Sequence, residues 1–280
     1  MEIYSLETGN MKLDGGAMFG VVPKSLWQKE YPADENNMCN IASRSMFVIT
    51  GTKKILIDTG VGNKQDEKFL GHYYLNGEAT LEDSLKKLGY RSEDITDVIH
   101  THLHFDHCGG SVVYDNRGKL IPAFPNATYH VSRLHWDLAN DPNRREKASF
   151  LDENIRPLEE NGKLNLIEKE GELMPGINIR FYKGHTEGQV VPFIQHENTI
   201  IVFVGDLMPL MANIPIAWVC GYDTRPLDSL KEKEAFLNEA YENNYILYFQ
   251  HDIFNECCML EKSSRGLRPG KKFPLRDLFE

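Results

Sequence analysis

Apolar and polar positions alternate along this chain in short blocks of two kinds. Runs rich in β-branched and aromatic side chains predict strands over residues 45–50, 54–58, 97–101, 127–132, 177–182, 189–195, 199–204 and 245–249, a set taken as complete. Thr50-Gly51-Thr52-Lys53 reads as the turn of a hairpin joining the first two. Leu81, Leu85 and Leu88 fall on one helical face, which predicts a helix over 79–88 stopped by Gly89. Further helices are expected over 135–139, 148–160 and 230–242, with a short helical turn at Ser92-Glu93-Asp94. Strands and helices are interleaved over the whole length, with no Gly-, Pro- or Ser-rich linker and no repeat. This predicts a single domain, 1–280, of mixed α/β (α+β) class, sheets inside and helices outside.

Composition narrows the function classes. The 280 residues are 41% hydrophobic and 26% charged, ordinary values for a globular chain. A net charge of −10 repels phosphate backbones and argues against a nucleic-acid partner. It says little about a local site, where bound divalent cations would dominate the field. Cys39, Cys108, Cys220, Cys257 and Cys258 form no CxxC pair and no disulfide framework, which fits a reducing compartment. The opening MEIYSLETGN lacks the basic and apolar regions of a secretory leader. The longest apolar run, near residues 199–204, is too short for a bilayer. A cytoplasmic protein without a membrane partner is expected.

The chemistry gathers at strand ends. The strand expected at 97–101 runs directly into His102-Leu103-His104-Phe105-Asp106-His107, four metal-binding side chains within six residues. Imidazole and carboxylate together suit zinc and neighbouring divalent metals. His102 and His104 are arranged to serve one ion, Asp106 and His107 a second. Gly109-Gly110 would relieve backbone strain just past them and open a helix. His185, Asp206 and His251 each follow a later apolar strand and are the candidates to complete a two-metal site. His72, His100, His130, His135 and His196 lack ligand-like neighbours and read as structural or exposed; His100 points away from the ligand face. Cys108 reads as a small packing residue.

Asp58-Thr59-Gly60, the HxHxDH run at 102–107, Gly184-His185-Thr186, Gly205-Asp206 and the late His251 resemble, in order and spacing, the metallo-β-lactamase superfamily. That resemblance implies a four-layer αββα sandwich. It implies one metal held by His102, His104 and His185, a second by Asp106, His107 and His251, Asp206 bridging both, and Asp58 orienting the ligands. The cofactors would be two divalent ions, zinc first, with cobalt, manganese or iron as alternatives. The context of 102–110, with Gly89-Tyr90 and Glu93-Asp94-Ile95 before it, is similar to N-acyl-homoserine lactone lactonases. The implied reaction is opening of the lactone ring, a quorum-quenching activity. A metal-bound hydroxide attacks, and Asp106 and Asp206 are the catalytic carboxylates.

One departure stands out. Many such lactonases carry a tyrosine three residues after the bridging aspartate, and here that residue is Pro209; Tyr222 is the candidate replacement. The alternative function is hydrolysis of aryl esters or phosphotriesters on the same fold, as in methyl-parathion-hydrolase-like enzymes. A non-enzymatic zinc module is disfavoured, because structural zinc is closed by four ligands. The apolar stretch 208–222 reads as a buried loop, as a wall for a small-molecule ester or lactone, or as a homodimer contact; Met18, Phe19, Trp27 and Tyr31 could contribute similarly.

Overall fold

The computed structural model describes residues 1–279. The chain forms two compact units, Met1–Asn10 with Ser43–Lys169, and Met11–Ala42 with the residues from Glu170 onward. Each is built on one principal sheet with helices packed on it, which is the αβ pairing that the αββα pattern repeats.

The sheet of the first unit runs in the order Glu2–Asp14, Met38–Thr50, Lys53–Ile57, Asp97–Ile99, Thr128–Ser132, Leu164–Ile167. The hairpin at Gly51 is as expected, with Lys53–Ile57 antiparallel to its predecessor. From there the pairing turns parallel, Ile57 opposite Ile99 and Ile99 opposite His130. Leu85 of the helix Leu81–Lys87 and Leu158 of the helix Asp152–Glu160 bury against Phe47, Leu56, Val98 and Tyr129. Thr80 caps the first of these helices by accepting from Asp83 N.

The second sheet has seven strands, Gly171–Met174, Ile177–Tyr182, Gln189–His196, Thr199–Phe203, Ile246–Tyr248, Cys257–Ser263 and Gly266–Phe273, each beside the next. Its neighbours are antiparallel except Thr199–Phe203 with Ile246–Tyr248, which run parallel with Phe203 opposite Tyr248. The long helix Pro226–Glu242 starts on the proline that favours a first helical turn. It buries Phe236, Leu237 and Ala240 against Val191, Val202, Leu247 and Phe249.

The expected strand set was incomplete. Glu2–Asp14 is a strand whose apolar rhythm (Ile3, Leu6, Met11) is broken at Gly9, held at φ 105°. Leu164–Ile167, Gly171–Met174 and the small pair Val112–Tyr114 with Leu120–Pro122 are short. The C-terminal hairpin is mostly exposed and polar, so no apolar alternation marks it. All five cysteines are buried and unbridged. Among the described residues no helix is long and apolar enough to cross a membrane.

Candidate metal centre

In the first unit, parallel register sets the geometry. Because Ile57 and Ile99 lie opposite each other, the residues just past them meet. Asp58 N donates to Ile99 O at 2.9 Å. The Asp58 carboxylate accepts from Thr101 N (2.8 Å) and Thr101 Oγ1 (2.7 Å), and lies 2.9 Å from His107 Nδ1. Asp58 is buried and its backbone sits at φ 57°, a region few non-glycine residues adopt, so the surroundings must hold it there. Burial pushes its carboxyl up, but the His107 charge, the hydrogen bond from His107 and the nearby His100 ring outweigh this and hold it at about 2. Asp58 thus holds the ring of His107, one of the candidate ligands.

His102 lies within the irregular stretch 100–104 that follows the strand Asp97–Ile99, and Phe105–Cys108 is a single helical turn. Phe105 packs on Tyr73 (ring centroids 4.6 Å) and Phe69 (5.2 Å), which leaves Asp106 half-buried beside His107. His102 offers ligand nitrogens within 4.8 Å of one on His104 and one on His107, and His107 Nε2 lies 3.6 Å from Asp106 Oδ2. Thr101 Oγ1 lies 3.0 Å from His102 Nδ1. His104 Nε2 lies 3.7 Å from the buried Glu146 carboxylate.

Two expectations need correction or refinement here. Gly109 and Gly110 do not relieve strain: neither has a positive φ. They are glycines because a Cβ at Gly109 would stand 1.8 Å from Val61 O, and one at Gly110 2.3 Å from Thr59 O. The segment after Asp58 therefore packs backbone to backbone on the ligand turn, and Thr59 N donates to His107 O at 2.7 Å. His135 is structural, as read, but buried and specific: its Nε2 accepts from Leu103 N at 2.7 Å, between two of the candidate ligands. His100 is buried with Nε2 3.0 Å from Ser111 Oγ, and His130 donates to Asp97 at 2.9 Å. Cys108 is a packing residue; burial pushes its thiol up to about 12 and it donates to Leu103 O.

In the second unit the same logic recurs. Phe203 and Tyr248 are opposite each other on parallel strands, and Asp206 and His251 each lie three residues beyond. Asp206 Oδ1 is 3.2 Å from His251 Nε2, and its Oδ2 is 3.2 Å from His185 Nε2. The Gln189 side-chain oxygen accepts from Asp206 N (3.1 Å) and Leu207 N (2.9 Å), which fixes this turn to the neighbouring strand. His251 Nδ1 donates to Ala42 O at 2.8 Å, and His185 Nδ1 donates to Asp223 Oδ1 at 3.1 Å. Gly184 lets the backbone before His185 press onto Ser229, which a Cβ would meet at 2.3 Å.

Four of the five candidate imidazoles thus have a hydrogen-bonding partner on one ring nitrogen, Thr101, Asp58, Asp223 and the Ala42 carbonyl, while for His104 the Glu146 carboxylate lies 3.7 Å away. Such partners fix ring orientation and raise ligand basicity. The donor set of imidazoles and carboxylates fits divalent first-row ions. Glu146 and Asp223 were not anticipated. Tyr222 is 41% exposed, next to Asp223. The 208–222 stretch is buried in its first half, with Met208, Met211 and Ile214 in the core of its unit, and reaches the surface at Ala217 and Tyr222. Phe19 stacks on Trp27 at 4.9 Å and meets Trp218 edge-on at 5.9 Å, so these N-terminal aromatics pack in the interior.

Residues 41–251 match the profile of the metallo-β-lactamase superfamily. An N-acyl homoserine lactonase of Bacillus cereus is 28% identical over 237 residues, covering 79% of this chain and 85% of the relative. A lactonase of the same name from a Bacillus species is 30% identical over 219 residues, covering 72% and 78%. Among solved structures, a probable metal-dependent hydrolase from Staphylococcus aureus superposes with a TM-score of 0.86 at 34% identity, covering 92% of this chain and 91% of that one. A dizinc quorum-quenching lactonase in complex with a product superposes at 0.78 with 21% identity over 97% and 95%, a likeness of fold. Family profile and fold agree: this chain is a metal-dependent hydrolase that belongs to the metallo-β-lactamase superfamily.

Proposed function

We propose that the chain works as one catalytic domain in which His102, His104 and His185 hold one metal, Asp106, His107 and His251 a second, and Asp206 bridges them. The observation that carries this is the Asp206 carboxylate, whose two oxygens face two different histidines at 3.2 Å each. Zinc is the expected ion, with cobalt, manganese or iron as substitutes. When bound, the pair would supply a water of lowered pKa and positive charge for a developing oxyanion. The substrate class is an N-acyl-homoserine lactone, supported by the names of the Bacillus relatives. Asp106, half-buried beside His107, hands a proton to the leaving alkoxide as the ring opens. Tyr222 contacts the substrate carbonyl in place of the tyrosine missing at Pro209. Five unbridged cysteines support a cytoplasmic setting.

A second reading, hydrolysis of aryl esters or phosphotriesters, is favoured by Pro209 itself. The deciding experiment is a panel on zinc-reconstituted protein. Acid release from N-hexanoyl- and N-decanoyl-homoserine lactone is followed beside p-nitrophenyl acetate and paraoxon. The expected result is ring opening at least tenfold above ester turnover, abolished by chelation. Turnover of paraoxon or the aryl ester without lactone opening would replace the first reading by the second.

A further inference from the structure

The helix Pro226–Glu242 carries two adjacent charged side chains that hold backbone groups. The Glu232 carboxylate accepts from Lys183 N (3.1 Å) and Gly184 N (3.0 Å), the two residues before His185. Lys233 is 2% exposed, and its ammonium donates to the carbonyls of Asn213 (2.7 Å), Pro215 (2.9 Å) and Trp218 (3.0 Å). All three of its protons are used. Burial pushes this ammonium down to about 8. An apolar side chain would fill a helix face without that desolvation cost, so the lysine calls for a reason beyond packing.

The three carbonyls belong to one irregular stretch of chain. It leaves Asp206 and arrives at Asp223, which is 5% exposed and bonded to His185 Nδ1. At that end Thr224 N and Thr224 Oγ1 both donate to His185 O at 3.0 Å. The stretch is therefore a strap from the proposed bridging ligand to the carboxylate that orients another ligand. Lys233 gathers its middle; Asn213 Nδ2 donating to Met18 O and Gly221 N donating to Ala17 O secure it elsewhere.

We propose that Lys233 is a positioning residue for metal retention: by drawing together the carbonyls of Asn213, Pro215 and Trp218 it sets the strap so that Asp223 stands against His185. This rests on His185 and Asp206 being ligands and is independent of the substrate. The test loads the full chain with zinc and follows zinc release to a chromogenic chelator, beside thermal unfolding of the metal-free protein. K233M is expected to release part of its zinc about tenfold faster than the unsubstituted protein, and D223N by a similar factor. The double variant should release no faster than D223N, because both act through one contact. K233Q, which keeps two of the donors, should fall between K233M and the parent.

Zinc release at the parental rate in folded K233M, with a lowered unfolding temperature, would mean that Lys233 only stabilises the fold and would overturn the assignment. So would a double variant whose effect is the product of the two single ones. Should K233M not fold, K233Q decides, and parental release in folded K233Q overturns it. A parent that holds no zinc overturns the ligand set together with this inference. Zinc held without lactone hydrolysis overturns the substrate reading alone.

Discussion

Asp97 shows what a buried carboxylate contributes away from the metal ligands. It accepts from His130 Nε2 (2.9 Å), Lys53 Nζ (2.8 Å) and Thr96 Oγ1 (2.6 Å). Burial alone would raise its pKa; the hydrogen bonds from His130, Lys53 and Thr96 win and lower it to about 2. A carboxyl depressed in the folded state stabilises the fold above its unfolded value, near 4. That contribution disappears as pH falls through the folded value, here about 2. D97N is therefore expected to lose about 2 kcal/mol at pH 7, and the gap to the parent should close between about pH 4 and 2. Urea unfolding of both proteins across that range measures it; a gap that stays constant to pH 2 would contradict the account. At this scale the candidate ligands and Asp58 stood out in the sequence, and the other residues behind them did not. A histidine cluster after an apolar strand is unusual, whereas Glu146 in Asn143-Arg144-Arg145-Glu146 and Asp223 after Tyr222 look like ordinary surface acids. Only folding reveals that both are buried.

Elements deliver the ligands by register. In each sheet a parallel strand pair ends in step, so side chains just past the strand ends come side by side: Asp58 with Thr101, and Asp206 with His251, each of these last two three residues beyond its register partner. This is why the strands carrying ligands were readable: they are short, continuous and apolar because both faces are covered. The C-terminal hairpin and Glu2–Asp14 escaped notice because exposed edges and an interrupted rhythm leave no such signature. The cost of delivering ligands on a tight turn appears at Gly109. G109A would drive a Cβ into the Val61 carbonyl, backbone against backbone, with no flexible group to yield. It is expected to destabilise the fold by about 3 kcal/mol and to loosen zinc binding. G51A, at a turn with φ 58° and open space around it, should cost only about 1 kcal/mol and leave zinc binding intact. Equal losses in the two variants, by urea unfolding, would remove the close-approach argument.

At the scale of the whole molecule, the chain order of the two units matters as much as their contents. Residues 43–169 of the first unit are contiguous and carry four of the proposed ligands, whereas the second unit combines Met11–Ala42 with residues from Glu170 onward. The Ala42 and His251 backbones are tied by Ala42 N donating to His251 O, alongside the His251 ring bond to Ala42 O, across 209 residues of chain. Loop closure over such a distance is slow to earn its contacts. At synthesis rates of about 5–20 residues per second, some 10–40 s separate the emergence of these two residues. Met18, Phe19, Trp27 and Tyr31 are all interior in the finished protein, and through that interval the Ala42–His251 tie beside their segment is absent. A fragment ending at residue 200 is expected to be cut by protease within 11–42 while 43–169 resists; protection of both stretches would contradict this. The candidate ligand His251 thus acts as a late latch on a segment of chain made some 209 residues before it.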